Sequence, residues 1–87
     1  MRYRADGEIH IRDWQEDAVL FHPASATTLR ISHTLAAAVS RLRVETMDVE
    51  SLASVLSPEH GQPEVIAGHL REGLEKLRHE GIIGLHG

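Results

Sequence analysis

The chain has 87 residues, no Cys, and nine Lys and Arg against thirteen Asp and Glu, for a formal net charge of −4. That length supports a single domain, residues 1–87, and such a domain buries only about 60–65% of the surface its unfolded chain exposes. With one Phe, one Tyr and one Trp, its core must be aliphatic. The missing Cys excludes a disulfide framework and a Cys-based zinc site, and fits a reducing cytosol. The acidic balance argues against general nucleic-acid affinity and against a polybasic membrane surface. No apolar run approaches the roughly 20 residues that span a bilayer. Met1-Arg2-Tyr3-Arg4 has no apolar stretch behind it, so no signal peptide is expected; the expected location is the cytoplasm.

Glu8 to Arg12 alternates polar and apolar residues, the period-2 mark of a half-buried strand. Asp13 to Asp17 reads as a polar connection, and its Trp14 as a cap on the core. Ala18 to His22 is a second strand with apolar residues at consecutive positions, as expected for the centre of a small sheet. Pro23 to Ala26 is a turn. Thr27 to Ile31 is a third strand, with Thr27, Leu29 and Ile31 on one face and Thr28 and Arg30 on the other.

Ser32 is placed to cap a first helix, His33 to about Arg43, by accepting from a free backbone N–H. Leu35, Val39 and Leu42 share a face of it, and Ala36 to Ala38 permit close packing. Thr46 or Asp48 caps a second helix with Val49, Leu52, Val55 and Leu56 as its apolar stripe. Ser57 to Gln62 reads as a break. Pro63 fits the first turn of a third helix, where its missing N–H costs nothing. Glu64 suits the positive end, and Lys76, Arg78 and His79 the negative end. Ile66, Leu70, Leu74 and Leu77 form the core stripe. Gly81 fits the position just past the helix, and Ile82, Ile83 and Leu85 are expected to pack back on the core. The order is three strands then three helices. The fold class is α+β: a three-stranded antiparallel sheet followed by three helices, winged helix-turn-helix-like.

The hairpin VLFHPASATTLRIS, the helix start HTLAAAVSRL, the segment TMDVESLASVLS and the last helix VIAGHLREGLEKLRHEGII together resemble the PqqD family. These are small chaperones of pyrroloquinoline quinone biosynthesis and the founding case of the RiPP recognition element. The resemblance runs from about Trp14 to Ile83. In detail the chain is similar to PqqD-like proteins associated with relatives of HPr kinase, which share the Trp-then-VLF start and the short Ser-containing turn. The resemblance implies a non-catalytic peptide-binding chaperone or adaptor. It would bind the leader of a precursor peptide as a strand added to the third strand, beside the last helix. It would then present the peptide to a modifying enzyme, radical-SAM-type or HPr-kinase-related.

The residues permit that mechanism. Strand addition needs an open edge, and Thr27, Thr28, Leu29, Arg30 and Ile31 contain no Pro, so their N–H donors are intact. At about 100° per residue, Val65, His69, Glu72 and Lys76 fall on one flank of the third helix, with Gly73 between. A Gly within a helix costs about 1 kcal/mol relative to Ala, which marks a close approach, by a packed element or by a bound peptide. Arg30 is placed to meet an acidic leader residue.

Other chemistry has little support. The seven His are scattered, with no pair three or four residues apart, so no metal site is expected. No nucleophile elbow, P-loop or GxGxxG occurs, so neither enzyme activity nor a cofactor is expected. Two alternatives stand beside the peptide-binding reading. One is a winged-helix-like DNA-binding protein using Arg71, Lys76 and Arg78, against which Glu64, Glu72, Glu75 and Glu80 count. The other is a dimerisation module that pairs the same open edge with a second copy, giving a homodimer.

Overall fold

The computed structural model describes residues 1–86. In chain order the strands and helices are β1 (Arg2–Arg4), β2 (His10–Trp14), β3 (Asp17–His22), β4 (Thr27–Ile31), α1 (His33–Leu42), β5 (Met47–Asp48), α2 (Val49–His60), α3 (Pro63–His79) and β6 (Gly84–His86). The fold is α+β, with three helices and two three-stranded antiparallel sheets, ordered β2-β3-β4 and β5-β1-β6. The expected order of three strands followed by three helices therefore needs correction. A strand precedes the hairpin, one sits between α1 and α2, and one follows α3.

The larger sheet follows the alternation read from the sequence, with β2 shifted. It begins at His10 and runs to Trp14, so the connection shrinks from the expected Asp13–Asp17 to Gln15 and Glu16 between the paired Trp14 and Asp17. Gln15 takes φ +56, in the left-handed region that tight hairpin turns use. Ile11, Leu20 and Leu29 align across the three strands on the inner face, while His10, Phe21 and Thr28 align on the outer one. Trp14 does not cap the core. It is 55% exposed, because β2, displaced toward Trp14, carries it onto the outer face.

The β3–β4 turn is locked by side chains. Pro23 to Ser25 form one 3-10 turn, and Ala26, at φ 55, donates its N–H to the Pro23 carbonyl at 3.0 Å. The buried His22 ring lies 2.7 Å from Ser25 Oγ, which donates to Thr27 Oγ1 at 2.7 Å. A buried polar ring is thus satisfied within its own hairpin.

Ser32 caps α1 as expected, its Oγ accepting from the Leu35 N–H at 3.0 Å. Of the two candidates for α2, Asp48 is the cap, accepting from the Ser51 N–H at 2.7 Å. The expected break at Ser57–Gln62 is shorter: α2 continues through Pro58 to His60, leaving Gly61 and Gln62 as the connection. Pro58 sits in the last turn, where the carbonyl it leaves without a helical partner belongs to exposed Ser54. Val55 lies off the buried stripe at 42% exposed, and Ala53 takes the inward position. After α3, Gly81 at φ 78 lets its N–H reach the Arg78 carbonyl and the Ile82 N–H reach the Leu77 carbonyl, both at 3.0 Å. This paired closure of a helix end turns Ile82 and Ile83 into the core. Leu85 does not follow them and is 44% exposed in β6.

The core is aliphatic and centred on α3, whose Ile66, Ala67, Leu70, Leu74 and Leu77 are buried against α1 and α2. The small sheet is fixed to the opposite flank of α3. Tyr3, buried at the centre of β1, donates its hydroxyl to Glu75 Oε2 at 2.8 Å, and Arg78 grips the same carboxylate through both Nε and Nη2. Hydrogen bonds from Arg78, then from Tyr3, hold the Glu75 carboxyl down to about 2 from the usual 4.5. A carboxylate depressed on folding adds stability above its unfolded value, and that contribution is lost as pH falls toward the folded one. Glu75 thus stabilises the fold fully above pH 4.5 and loses that effect between 4.5 and about 2. In thermal melts across this window, Glu75→Gln should show a shallower fall in Tm with acid than the parent chain. An identical fall would show that the Tyr3–Glu75–Arg78 contact contributes nothing.

Candidate functional site

β4 has β3 on one side only, so its outer edge presents backbone N–H and C=O groups with no strand partner. Among the described residues it contains no Pro and no bulge, two of the usual blocks on edge pairing. The face alternation read from the sequence holds: Ile31 is buried and Thr27 and Leu29 half-buried, while Thr28 and Arg30 are exposed.

Across from this edge runs α3, and between them lies a groove of about 180 Å³. Its floor is apolar, made of Leu29, Ile31, Leu35 and Leu77. Its rim is polar, made of Arg30, Ser32, His69 and Lys76, with Gly73 in the α3 wall. The volume is close to that of a cavity of about 150 Å³ that holds one benzene, so the floor has room for one large apolar side chain. A floor that excludes water beneath a ladder of free peptide groups can hold an extended chain, with main-chain bonds along the edge and one side chain below.

Three local features shape the groove. Gly73 is the first. A Cβ there would stand 2.8 Å from Leu35 Cδ2 and 3.0 Å from Cδ1, so the element that approaches Gly73 closely is the first turn of α1. The second is a bridge across one end, where His69 Nε2 lies 2.6 Å from Ser32 Oγ. Ser32 can both accept the Leu35 N–H and share a proton with His69, so the helix cap also ties α1 to α3. The third is Arg30, whose Nε donates to Asp17 Oδ2 at 2.8 Å. Its guanidinium is therefore already engaged on the outer face, and an acidic ligand residue would share it with Asp17.

Of the residues singled out from the sequence, the groove gathers Leu29, Arg30, Ile31, His69, Gly73 and Lys76. Thr27 and Thr28 lie on the same strand nearer the turn, outside it. Val65 and Glu72 are exposed on α3 but do not line it, and Val65 is 71% exposed. Sequence reasoning left out Ser32, Leu35 and Leu77, having read the first as a cap and the others as core. Gly73 carried the usable signal, since a close approach implies a neighbour, and the first turn after β4 is adjacent by connectivity. No group of three metal-ligating side chains occurs among the described residues, and no helix there is long and apolar enough to cross a membrane.

Gly73→Ala tests the groove wall. The added Cβ must displace the Leu35 methyls, which can swing into the adjacent groove. A helix-propensity gain of about 1 kcal/mol offsets the cost of that shift. The melting temperature should therefore stay within a few degrees of the parent. A loss of more than about 2 kcal/mol in denaturant unfolding would mean that Leu35 has nowhere to go.

Comparison with known protein families, with characterised proteins and with solved structures finds no match for this chain.

Proposed function

We propose that this protein is a non-catalytic, cytoplasmic peptide-binding module of the PqqD type. In this reading it takes the leader region of a precursor peptide as an added strand on β4 and presents it to a modifying enzyme. The observation that carries the reading is the pairing of an open strand edge with an apolar-floored groove closed by α3. Main-chain hydrogen bonds along the edge supply affinity with little dependence on sequence. Burial of one apolar side chain on Leu29, Ile31, Leu35 and Leu77 supplies selection, worth about 1.5–3 kcal/mol for a fully buried aliphatic group. Lys76 at the rim, which has no ion-pair partner among the described residues, favours a leader with a carboxylate near that side chain.

The DNA-binding alternative is disfavoured by how the cations of α3 are used. Of Arg71, Lys76 and Arg78, Arg71 is held by Glu50 at 2.7 Å and Arg78 by Glu75 at 2.9 Å, which leaves Lys76 alone for phosphate. The homodimer alternative uses the same β4 edge and differs in one observable, a mass that rises with protein concentration.

The direct experiment is an NMR titration of isotope-labelled protein with the leader of a precursor peptide encoded beside it. Amide shifts should concentrate at Leu29, Arg30, Ile31, Gly73 and Lys76. N-methylation of the peptide at alternate positions should abolish binding in one phase and spare it in the other, because only every second amide of an added strand faces the edge. Lys76→Glu should weaken an acidic leader severalfold without changing Tm. Shifts confined to other surfaces, or equal tolerance of both methylation phases, would overturn strand addition.

A further inference from the structure

The chain has one Trp, one Phe and one Tyr. Aromatic side chains ordinarily supply much of a small core, yet only Tyr3 is buried here. Trp14 is 55% and Phe21 40% exposed, and both lie on the outer face of the β2-β3-β4 sheet. Their neighbours on that face are Arg12, Val19 and Arg30 in one cross-strand row and His10 beside Phe21 in the next. The His10 ring stacks on Phe21 with centroids 6.4 Å apart. His10, Arg12, Asp13, Trp14, Val19 and Phe21 line a shallow concavity of about 630 Å³. Nothing in the fold requires these rings outside. Trp, Phe and Arg are the residue types that concentrate at the centres of protein interfaces.

We propose that this outer face is a docking surface for a partner protein, which lays on it one helix that is apolar along one side and carries carboxylates on the flank facing Arg12. Size and charge select that occupant. Five residues of strand span about 17 Å, and three strands about 4.8 Å apart span roughly 10–14 Å. That is the footprint of about a dozen residues of helix, itself about 10–12 Å across. A second copy laid face to face would bury the same area, on the order of 250 Å² per side, but would bring no unpaired carboxylate to Arg12, because its own Glu8, Asp13 and Asp17 already face His10, His33 and Arg30. As for charge, Arg30 is held by Asp17 at 2.8 Å and His10 by Glu8 at 2.6 Å. Arg12 has no ion-pair partner among the described residues, so the charge the face offers is a cation beside two aromatic rings. The acids Glu8, Asp13 and Asp17 around it disfavour a ligand charged along its whole length, such as a nucleic-acid strand, and admit carboxylates only on the flank that meets Arg12. So small a contact is transient, as suits a partner that comes and goes. This surface is separate from the groove and stands or falls without it.

Trp14 is the only Trp, so its emission reports this face alone. The probe is a synthetic helix of about 18 residues, long enough to be helical in isolation, with a Leu and Ala stripe flanked by Glu. The comparison probes are the same helix flanked by Lys and an oligothymidylate. The Glu-flanked helix should shift Trp14 emission to the blue in a saturable way, protect it from iodide and leave the Gly73 and Lys76 amides unmoved. Arg12→Glu should weaken that response about tenfold, and Arg12→Gln, a milder change with no new charge, severalfold. Circular dichroism of both variants checks that the sheet is intact. No emission shift, or an equal response to the Lys-flanked helix, would overturn the proposal. So would a shift on raising the protein concentration alone, which indicates a second copy. A shift with oligothymidylate in place of the Glu-flanked helix would also overturn it, in favour of nucleic acid.

Discussion

Leu35 leans on α3 at Gly73, where α3 has no side chain, so close that a Cβ there would come within 2.8 Å of its Cδ2. This approach sets the distance between α1 and α3, and with it the width of everything next to them. Leu35 belongs to the first turn of α1, three residues beyond the Ser32 cap, and Ser32 directly follows the end of β4. Bringing α3 against Leu35 therefore also brings it alongside the outer edge of β4. The Ser32–His69 contact at 2.6 Å ties the same junction from the polar side. A helix with a large residue at position 73 would stand further off, and the β4 edge would border open solvent.

An open strand edge is a hazard for a small protein, because it invites pairing with any extended chain. β4 is kept short, with one exposed charge, Arg30, and α3 stands beside it as a wall. That shielding is only partial: the wall limits what can reach the edge and leaves a floor that rewards an apolar side chain. Selectivity on such an edge comes from the groove rather than from the backbone, since the peptide groups of every chain are alike.

The legible part of the fold was the part with periodicity. β3, β4, the Ser32 cap, α1 and the α3 stripe follow from alternation, helical spacing and capping chemistry over five or more residues. The small sheet was not legible. β1, β5 and β6 have only two or three residues each, too few for a period to register. They are held by tertiary contacts, such as the reach of Tyr3 to Glu75, that no local pattern encodes. Pro58 misled for a related reason: as a local signal it ends a helix, but in an exposed last turn it is tolerated. Trp14 misled because burial is the default expectation for a large aromatic, and the shift of β2 along the chain put it on the outer face of the sheet. Of the candidate site, the strand and the helix flank could be read. The floor could not, because Leu35 and Leu77 serve the core and the groove at once.

β4 takes part in both surfaces of the sheet. Leu29 and Ile31 face inward to the groove floor, whereas Arg30 and Thr28 face outward, in rows with Val19 and Phe21. A strand added at this edge would alternate in the same way. Every second side chain would lie toward α3 and the others would extend the outer face beside Arg30. The two surfaces are then linked by geometry, without any conformational change. A partner seated on Trp14 and Phe21 would sense a filled edge directly, through the side chains of the added strand. In the proposed reading such an arrangement would separate the two demands on an adaptor: the groove would retain the peptide by its inward residues, and the outward residues would stay available to be read.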